Sequence, residues 1–347
     1  MKSFKVKIIG SGTTFDVNSG ESVLSAALRQ GVMLPYSCKN GTCGSCKGTL
    51  HSGEVHYPWH PPLALERSDI AEGSALLCQA EPMEDLEIEA REIEAVKDIS
   101  VRMMPSRVIQ KELLAPNVMG LKLRLPRGQR LQFLAGQYVD ILLSGGKRRA
   151  FSIASAPGLE DEIELHVRHV EGGGFTGWVF EELKTRDLMR LEGPLGTFFV
   201  RNDRPDRPMI MMGGGTGFAP LKSMIEDLLA HGDRRPLHLF WGARSEAELY
   251  LLDLARAWAL EHEHIEFTAA VSEGATGSEV FSGLVHEAVT THYPGLESFD
   301  VYMSGPPAMI DSARTAFLAH GLHEERLFYD SFEFGLDVPV RILARPH

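Results

Sequence analysis

The sequence predicts a multidomain protein in which a small α+β domain, an antiparallel β-barrel and an α/β domain with a parallel sheet follow one another. Three observations lead to this prediction. All four cysteines lie in the first quarter of the 347 residues, the middle part has short strand patterns between turn signals, and the last part alternates strands with helices. The length alone suggests two or three domains of ordinary size.

Composition and charge exclude several classes of protein. The chain is 44% hydrophobic and 24% charged, which is typical of a globular protein and not of a disordered or fibrous one. Its net charge of −12 disfavours binding to nucleic acid or to an anionic membrane. No apolar stretch approaches the roughly 18 to 20 residues that a membrane helix needs, and residues 1–8 lack a signal-peptide core. We therefore expect a cytoplasmic protein with no nucleic-acid partner and no membrane span.

The cysteines have a spacing that is typical of a metal cluster. They follow the pattern C-x4-C-x2-C, and the last cysteine comes after 31 further residues. This is the plant-type arrangement of four thiolates around a [2Fe–2S] cluster. A zinc site and two disulfides are the alternatives. Zinc sites usually have two C-x2-C pairs, and disulfides need an oxidising compartment. The predicted ligands are Cys38, Cys43, Cys46 and Cys78. Gly41 and Gly44 let the loop bend tightly and bring N–H groups near the cluster sulfurs.

The residues around the cysteines predict a small α+β domain of the ferredoxin-like (β-grasp) type. Residues 4–16 alternate weakly and predict a hairpin, residues 21–30 predict a short helix, and residues 86–90 predict a half-exposed strand. His56, Trp59 and His60 lie beside three prolines, and we interpret them as loop packing because the cysteines already complete the cluster.

An acidic segment ends this domain. Residues 81–100 carry eight acids and two bases, a net charge of −6. A solvated strand edge with a linker would have this composition. A docking face for a basic patch on an electron acceptor would have it too. Both interpretations stay open.

The middle of the chain predicts a small antiparallel barrel with a binding motif on one strand. The predicted strands include 119–125, 138–143 and 163–170. Arg149 and Phe151 alternate on one strand face, where an arginine can pair with a phosphate and an aromatic ring can lie along a flat ring system. Ser152 points to the other side, or lies where a bend in the strand redirects it. A glycine turn at 172–174 precedes an apolar helical run at 178–183, and such a turn is an anion site.

The last part of the chain predicts a dinucleotide site. A buried strand at 208–212 leads into a glycine turn at 213–220 and a helix at 221–230, although Phe218 prevents a match to G-x-G-x-x-G. Further strands are predicted at 237–241, 265–271, 300–303 and 327–330, and further helices at 246–261, 284–292 and 308–319. Ligands bind beyond the carboxyl ends of such strands, which include the loop 304–307. After the second strand, Arg244 beside Glu246 gives weak support for a 2′-phosphate, so we expect NADH rather than NADPH.

Taken in order, these motifs resemble a known family. The similar segments are Tyr36–Lys47, Leu134–Tyr138, Glu164–Arg168, Glu192–Phe199 and Gly214–Pro220. The chain resembles ferredoxin–NAD(P)H reductase-type iron–sulfur flavoproteins with an N-terminal ferredoxin domain. Within that family it is most similar to the CDP-6-deoxy-Δ3,4-glucoseen reductases and to the reductase components of bacterial oxygenases. The resemblance implies domains at 1–95 (ferredoxin), 96–105 (acidic linker), 106–203 (FAD-binding barrel), 204–335 (NAD(P)H-binding) and 336–347 (C-terminal tail).

The resemblance also implies roles for individual residues. It assigns the flavin to Arg149, Phe151, Ser152, His166, Val167, Arg168, Gly174 and Thr176. It assigns the pyridine nucleotide to Gly214, Gly215, Thr216, Gly217, Gly305 and Pro306. Catalytic roles would belong to Ser152, Ser304 and Phe332, with Ser152 near the reacting ring nitrogen and Phe332 covering the flavin ring. The implied cofactors are a [2Fe–2S] cluster, FAD and NADH, with FAD rather than FMN resting on the resemblance alone.

Three residues depart from the family pattern. Phe151 stands where a tyrosine is usual, and Ser304 stands where the family has a cysteine beside the nicotinamide. Phe332 is followed by 15 residues, so Phe334 is a rival for the covering position.

The resemblance implies a reductase that passes electrons from NADH through FAD and the cluster to a partner enzyme. The partner would be a pyridoxamine-phosphate-dependent sugar dehydrase or, alternatively, a non-haem iron oxygenase acting on an aromatic or alkyl substrate. A non-catalytic redox sensor is a minor alternative, to which Ser304 alone points.

Overall fold

A computed structural model describes residues 2–58, 61–96, 99–158, 161–274 and 280–332. Trp59, His60, Phe334 and the predicted tail lie outside these described residues. The chain divides into two compact units, Met1–Ser100 and Val101–His347. Among the described helices, none has both the length and the apolar character needed to cross a membrane.

The first unit is an α+β fold around a mixed sheet. Its elements are β1 (Ser3–Ile8), β2 (Thr14–Asn18), α1 (Val23–Arg29), β3 (Lys47–Ser52), β4 (Val55–His56), α2 (Arg67–Ala71), β5 (Ser74–Leu76), β6 (Glu81–Pro82) and β7 (Leu86–Glu89). The sheet has the strand order β2-β1-β7-β3-β5. Alternate residues of β1 are buried, and β1 pairs antiparallel with β2 and parallel with β7. The predicted hairpin, helix and final strand are thereby confirmed.

The second unit begins with an antiparallel barrel. Its elements are β8 (Arg102–Ala115), β9 (Val118–Arg124), β10 (Tyr138–Leu142), β11 (Arg148–Ser152), β12 (Glu162–Arg168), α3 (Gly174–Glu181) and β13 (Leu188–Leu195). The strand order is β11-β10-β13-β8-β9-β12. An antiparallel bridge between Ile153 and Leu165 joins the two ends, so the sheet closes on itself. This confirms the predicted barrel.

Two features of the barrel differ from the sequence prediction. Strand β8 begins at Arg102, inside the segment 96–105 that we interpreted as a linker. Helix α3 begins at Gly174, four residues before the predicted apolar run, with Gly173 as its N-cap. The glycines gave no helical signal because they have no side chains to show a periodicity.

The rest of the second unit is a parallel α/β fold. Its elements are β14 (Met209–Gly214), α4 (Phe218–Ala230), β15 (Leu237–Ala243), α5 (Leu252–Glu261), β16 (Ile265–Val271), β17 (Val280–Ser282), α6 (Val285–His292), β18 (Asp300–Gly305), α7 (Pro307–Ala319) and β19 (Leu327–Ser331). The strand order is β17-β16-β15-β14-β18-β19, and every pair is parallel. Met209 and Met211 pack with residues of α4 and α5, whereas Ile210 and Met212 pack with residues of α6 and α7. Helices therefore cover both faces, as predicted.

The helix predicted at 246–261 is wrong in its first half. A short 3₁₀ turn at Glu246–Glu248 comes first, and α5 begins only at Leu252. Leu249 is buried and leaves the helical region with φ −84° and ψ 67°, so the backbone bends where this side chain enters the core.

Candidate functional site

The four cysteines converge in the first unit. The Cys38 side chain is hydrogen-bonded with those of Cys43 and Cys78, and Cys78 also with Cys46. These contacts, together with the backbone N–H groups of Asn40 and Cys43, hold the pKa of the Cys38 thiol well below its usual value. The thiolate is the form that binds metal. The same contacts raise the pKa of the Cys43 and Cys78 thiols. Four cysteine side chains brought together in this way fit a cluster of two irons.

The loop between the cysteines packs closely against neighbouring parts of the first unit. Gly41 has φ +85°, and a Cβ there would lie 2.9 Å from the Cβ of Pro62. The side-chain amide of Gln79 donates a hydrogen bond of 2.9 Å to the carbonyl of Lys39, itself at φ +62°. The tight bend that Gly41 predicts is thus present in the loop. The backbone N–H groups on the Cys38 sulfur are those of Asn40 and Cys43; an approach of the Gly41 and Gly44 N–H groups to the cluster sulfurs stays a prediction.

The acidic segment is tied to its own unit at several points. Glu87 pairs with Lys7 at 2.9 Å, and Glu89 contacts His51 at 3.0 Å. Asp85 accepts a hydrogen bond of 2.8 Å from a backbone N–H in β1. These contacts favour the interpretation as a solvated strand edge, because these acids already have partners within the fold.

Strand β11 presents the predicted flavin motif. Arg149 and Phe151 are half-buried at alternate positions, whereas Ser152 is buried. The Phe151 ring lies 5.5 Å from that of Phe175 in α3. A flat ring system laid on Phe151 would therefore rest on an aromatic surface that the fold holds in place, which fits FAD.

The Ser152 hydroxyl reaches across to the parallel sheet. Its Oγ donates a hydrogen bond of 3.2 Å to Oδ2 of Asp330, a buried residue of β19. Sequence analysis did not name Asp330. The available signal was its place at the carboxyl end of a predicted strand, the edge where ligands bind.

A buried polar network surrounds His166. Its Nδ1 lies 2.9 Å from the Tyr250 hydroxyl, and its Nε2 lies 3.0 Å from Oε1 of Glu164. Oε2 of Glu164 accepts a hydrogen bond of 3.1 Å from Lys222 in α4. Burial opposes ionisation of Glu164, but the His166 hydrogen bond and the Lys222 charge lower its pKa to about 2. Burial lowers the pKa of His166, so this imidazole is neutral.

This network changes the expectation for two flavin residues. Both ring nitrogens of His166 contact protein groups, and the side chain of Val167 is completely buried in the barrel core. Any contact of these two residues with a phosphate therefore has to come from the backbone.

Arg168 lies between the barrel and the glycine turn. Its Nη1 would be 3.1 Å from a Cβ on Gly215, and its Nη2 is 3.8 Å from Oε2 of Glu248. The other oxygen of Glu248 lies 2.6 Å from Nη2 of Arg244. Glu248 thus links Arg168 and Arg244, two of the arginines considered for phosphate groups, and sequence analysis gave no signal for it.

The glycine turn packs too closely for side chains. A Cβ on Gly217 would fall 2.0 Å from the carbonyl oxygen of Ser304, and one on Gly214 would fall 2.4 Å from Sδ of Met309. The indole N–H of Trp241 donates a hydrogen bond of 2.9 Å to the carbonyl of Gly215. The turn and the loop after β18 therefore touch, as expected for neighbouring strand ends.

Ser304 is completely buried, and among the described residues its hydroxyl has no hydrogen-bond partner. A buried hydroxyl without a partner is costly unless a ligand or water supplies one. Gly305 and Pro306 follow it, and Pro306 is the N-cap of α7. The backbone N–H of Phe332 donates a hydrogen bond of 2.8 Å to the carbonyl of Gly305, so Phe332 lies beside this loop.

Three family models match consecutive parts of the chain. A 2Fe-2S iron-sulfur cluster binding domain matches residues 6–83, an oxidoreductase FAD-binding domain matches 105–200, and an oxidoreductase NAD-binding domain matches 211–315. They occur in the predicted order.

The relatives cover almost the whole chain. The CDP-6-deoxy-L-threo-D-glycero-4-hexulose-3-dehydrase reductase of Yersinia pestis is 41% identical over 95% of this chain and 98% of its own. The phenol 2-monooxygenase reductase component DmpP of Pseudomonas sp. (strain CF600) is 39% identical over 96% of each chain. This chain belongs to the iron–sulfur flavoprotein reductases of the ferredoxin–NAD(P)H reductase type. A crystal structure of the Amycolatopsis cytochrome P450 reductase GcoB has a TM-score of 0.76 at 33% identity, covering 95% of this chain and 98% of its own.

As a member of this family, the chain is an NAD(P)H-dependent oxidoreductase with sites for a [2Fe–2S] cluster, FAD and a pyridine nucleotide. Its electrons go to a separate acceptor protein. The relatives are reductases, which disfavours the redox-sensor hypothesis. Residues near the site that sequence analysis did not identify as functional are Lys222, Trp241, Glu248, Tyr250 and Asp330.

Proposed function

We propose that this reductase takes electrons from NADH and delivers them to a pyridoxamine-phosphate-dependent sugar dehydrase in the cytoplasm. The observation that carries the choice of partner is the 41% identity, over 95% of the chain, to relatives named as reductases of a hexulose-3-dehydrase. The cytoplasm is the compartment that keeps four cysteines reduced and available as ligands.

The barrel residues would hold the flavin. When bound, FAD takes an electron pair from the nucleotide and gives single electrons to the cluster. Arg149 would pair with a phosphate, Phe151 would lie along the ring, and Ser152, fixed by Asp330, would present its hydroxyl to the reacting edge. The Oγ1 of Thr176 accepts a hydrogen bond of 3.1 Å from the N–H of Val170.

The hydrogen bond between Val170 and Thr176 holds the loop before α3 against the first turn of that helix. The N-terminal N–H groups of α3, from Gly174 onwards, would bind a pyrophosphate. The backbone of His166 and Val167 and the guanidinium of Arg168 would complete this phosphate region.

The two loops at the carboxyl ends of β14 and β18 would hold the pyridine nucleotide. The turn Gly214–Gly217 would bring backbone N–H groups close to a pyrophosphate, since three of its four residues are glycines. Ser304 would offer its partnerless hydroxyl to the nicotinamide, and Gly305 and Pro306 would shape the wall. Phe332 would cover the flavin ring until the nicotinamide enters.

The contacts of Arg244 favour NADH. The guanidinium of Arg244 is bound by Glu248 through Nε at 3.1 Å and Nη2 at 2.6 Å. A 2′-phosphate would have to displace this carboxylate and would meet its negative charge. The ribose 2′-hydroxyl of NADH requires no such displacement.

Steady-state kinetics with both nucleotides tests this preference. The wild type should have the higher kcat/KM with NADH, and Glu248→Gln should raise kcat/KM for NADPH relative to NADH by about tenfold as Arg244 is released. Glu261→Gln, an exposed residue of α5, is the matched control and should leave the ratio unchanged. An unaltered ratio in Glu248→Gln would show that this ion pair does not select the nucleotide.

Capture of the partner tests the proposed pathway. The reduced protein is crosslinked in its native extract, and the captured chains are identified by mass spectrometry. A sugar dehydrase that is then reduced by the purified reductase and NADH supports the proposal. A non-haem iron oxygenase reduced in its place contradicts it.

An oxygenase partner is the second candidate function. The observation in its favour is the 39% identity to the phenol 2-monooxygenase reductase component over 96% of each chain. Coupled turnover separates the two: NADH consumption that rises with an aromatic substrate and oxygen supports the oxygenase, and consumption that rises with a dehydrated sugar nucleotide supports the dehydrase.

A further inference from the structure

Three potential metal ligands meet at the amino ends of the parallel strands. His238 in β15 and Glu266 in β16 are register neighbours, and His292 is the last residue of α6. Nδ1 of His238 is 3.7 Å from Oε2 of Glu266, which is 4.0 Å from Nε2 of His292. Ligand atoms of all three residues lie within 4.8 Å of one another.

This cluster is remote from the redox site. The glycine turn follows the carboxyl end of β14, whereas His238 is the second residue of β15. Five residue steps separate it from the end of that strand, or about 16 Å. Nothing in the proposed electron path uses these three side chains.

The buried imidazole of His238 has an orientation that suits metal binding. His238 is almost completely buried, and its Nε2 lies 2.9 Å from Oγ1 of Thr268, which leaves Nδ1 facing Glu266. Metal-binding histidines commonly donate their other ring N–H in this way.

We propose that His238, Glu266 and His292 form a binding site for a transition-metal dication such as Zn²⁺. Two imidazoles and one carboxylate are a common donor set for zinc with a water in the fourth position. Ligands at 2.0–2.1 Å around a tetrahedral ion are about 3.3 Å apart. Glu266 and His292 are exposed, and their ligand atoms have to close distances of 3.7 Å, 4.0 Å and at most 4.8 Å to that separation.

One hydrogen bond opposes metal binding. The Tyr293 hydroxyl lies 3.0 Å from Nδ1 of His238, the nitrogen that faces Glu266. It positions the ring without metal and has to swing aside when the ion binds. A bound ion would then connect β15, β16 and the end of α6.

Zinc binding to the holoenzyme tests the proposal. Protein stripped of loosely bound metal with a weak chelator is dialysed against buffered Zn²⁺, and zinc and iron per chain are counted. We expect one zinc per chain with the iron content unchanged. Glu266→Gln and His292→Asn should each weaken zinc binding by at least about tenfold. His231→Ala, an exposed histidine of the same domain, should not.

Two further results would decide the matter. Cu²⁺ added to the oxidised protein should give an electron paramagnetic resonance signal with two imidazole nitrogens, reduced to one in His292→Asn. Tyr293→Phe should bind zinc at least as tightly as the wild type, because the competing hydrogen bond is gone. Equal zinc binding in all variants, or no stoichiometric zinc in the wild type, would overturn the proposal and leave His238 as a buried histidine satisfied by Tyr293 and Thr268.

Discussion

Removal of the Lys222 charge should destabilise the second unit. The Lys222 side chain is 9% exposed, and its Nζ lies 3.1 Å from Oε2 of Glu164 and 2.9 Å from Oε1 of Glu226. It also donates a hydrogen bond of 3.2 Å to the carbonyl of Ala154 in the barrel. Lys222→Met keeps the length of the side chain but leaves two carboxylates without their cation.

The size of the expected loss in unfolding free energy follows from the pKa of Glu164, which is lowered from 4.5 to about 2. At about 1.4 kcal/mol for each pH unit, this difference is about 3 kcal/mol, shared among Lys222 and His166. Removing one partner of a buried ion pair typically costs about 3–5 kcal/mol. Because Lys222 accounts for only part of the pKa difference, the first estimate lies below 3 kcal/mol, and the second begins at about 3 kcal/mol. We therefore expect a loss of about 2–3 kcal/mol, which for a unit of this size is a fall in Tm of about 4–12 °C.

The pH dependence has a definite sign. A carboxylate with a lowered pKa contributes stability that is complete above its unfolded value of 4.5 and is lost as pH falls through about 2. The difference between Lys222→Met and wild type should therefore be full at pH 7 and narrow below about pH 4.5, as Glu164 becomes protonated.

The assay is thermal unfolding followed by flavin release at pH 7. Lys184→Met, an exposed lysine of the same unit, should change the free energy of unfolding by less than about 0.5 kcal/mol. The double variant Lys222→Met/Glu164→Gln should recover part of the loss, because glutamine needs no cation. A Tm for Lys222→Met within about 2 °C of wild type would refute this account of the network.

Three further predictions concern the redox site. Cys78→Ser should abolish reduction of one-electron acceptors such as cytochrome c, whereas NADH should still bleach the flavin. If the variant lost both activities, the cluster and the flavin would not have the separate roles proposed for them. Gly217→Ala should raise KM for NADH by at least about tenfold with unchanged flavin content, since its Cβ would lie 2.0 Å from the Ser304 carbonyl; an unchanged KM would count against this packing. Ser304→Cys should speed flavin reduction in stopped-flow a few-fold while KM for NADH stays within about twofold; a change confined to KM would make Ser304 a binding residue only.

The features that sequence analysis predicted well are those set by local chemistry. The cysteine spacing is itself the chemical signal, and the apolar strand at 208–212 running into glycines defines a strand, turn and helix within some 20 residues. Alternation along 148–152 separated Arg149 and Phe151 from Ser152 because strand side chains alternate by geometry alone.

The remaining features depend on contacts between distant parts of the chain. Asp330 meets Ser152 from 178 residues away. Glu248 meets Arg168 from 80 residues away, and burial of Leu249 overrides the helical pattern of 246–261 directly after it. The start of strand β8 was assigned to the linker because exposed Met103 and Leu113 are apolar and buried Ser106 is polar, so the sequence does not show the alternation that the burial has.

The contacts between the barrel and the parallel sheet differ in strength, and this bears on catalysis. Ser152 and Asp330 are buried, and a buried hydrogen bond resists displacement. Arg168 and Glu248 are 3.8 Å apart, and the arginine is 34% exposed, so their ion pair is weak. In the proposed flavin site, a phosphate that reaches Arg168 would therefore take it from Glu248 at little cost. Ser152 is already held by Asp330 without any cofactor, and Arg168 is the group that would change partner when the flavin binds.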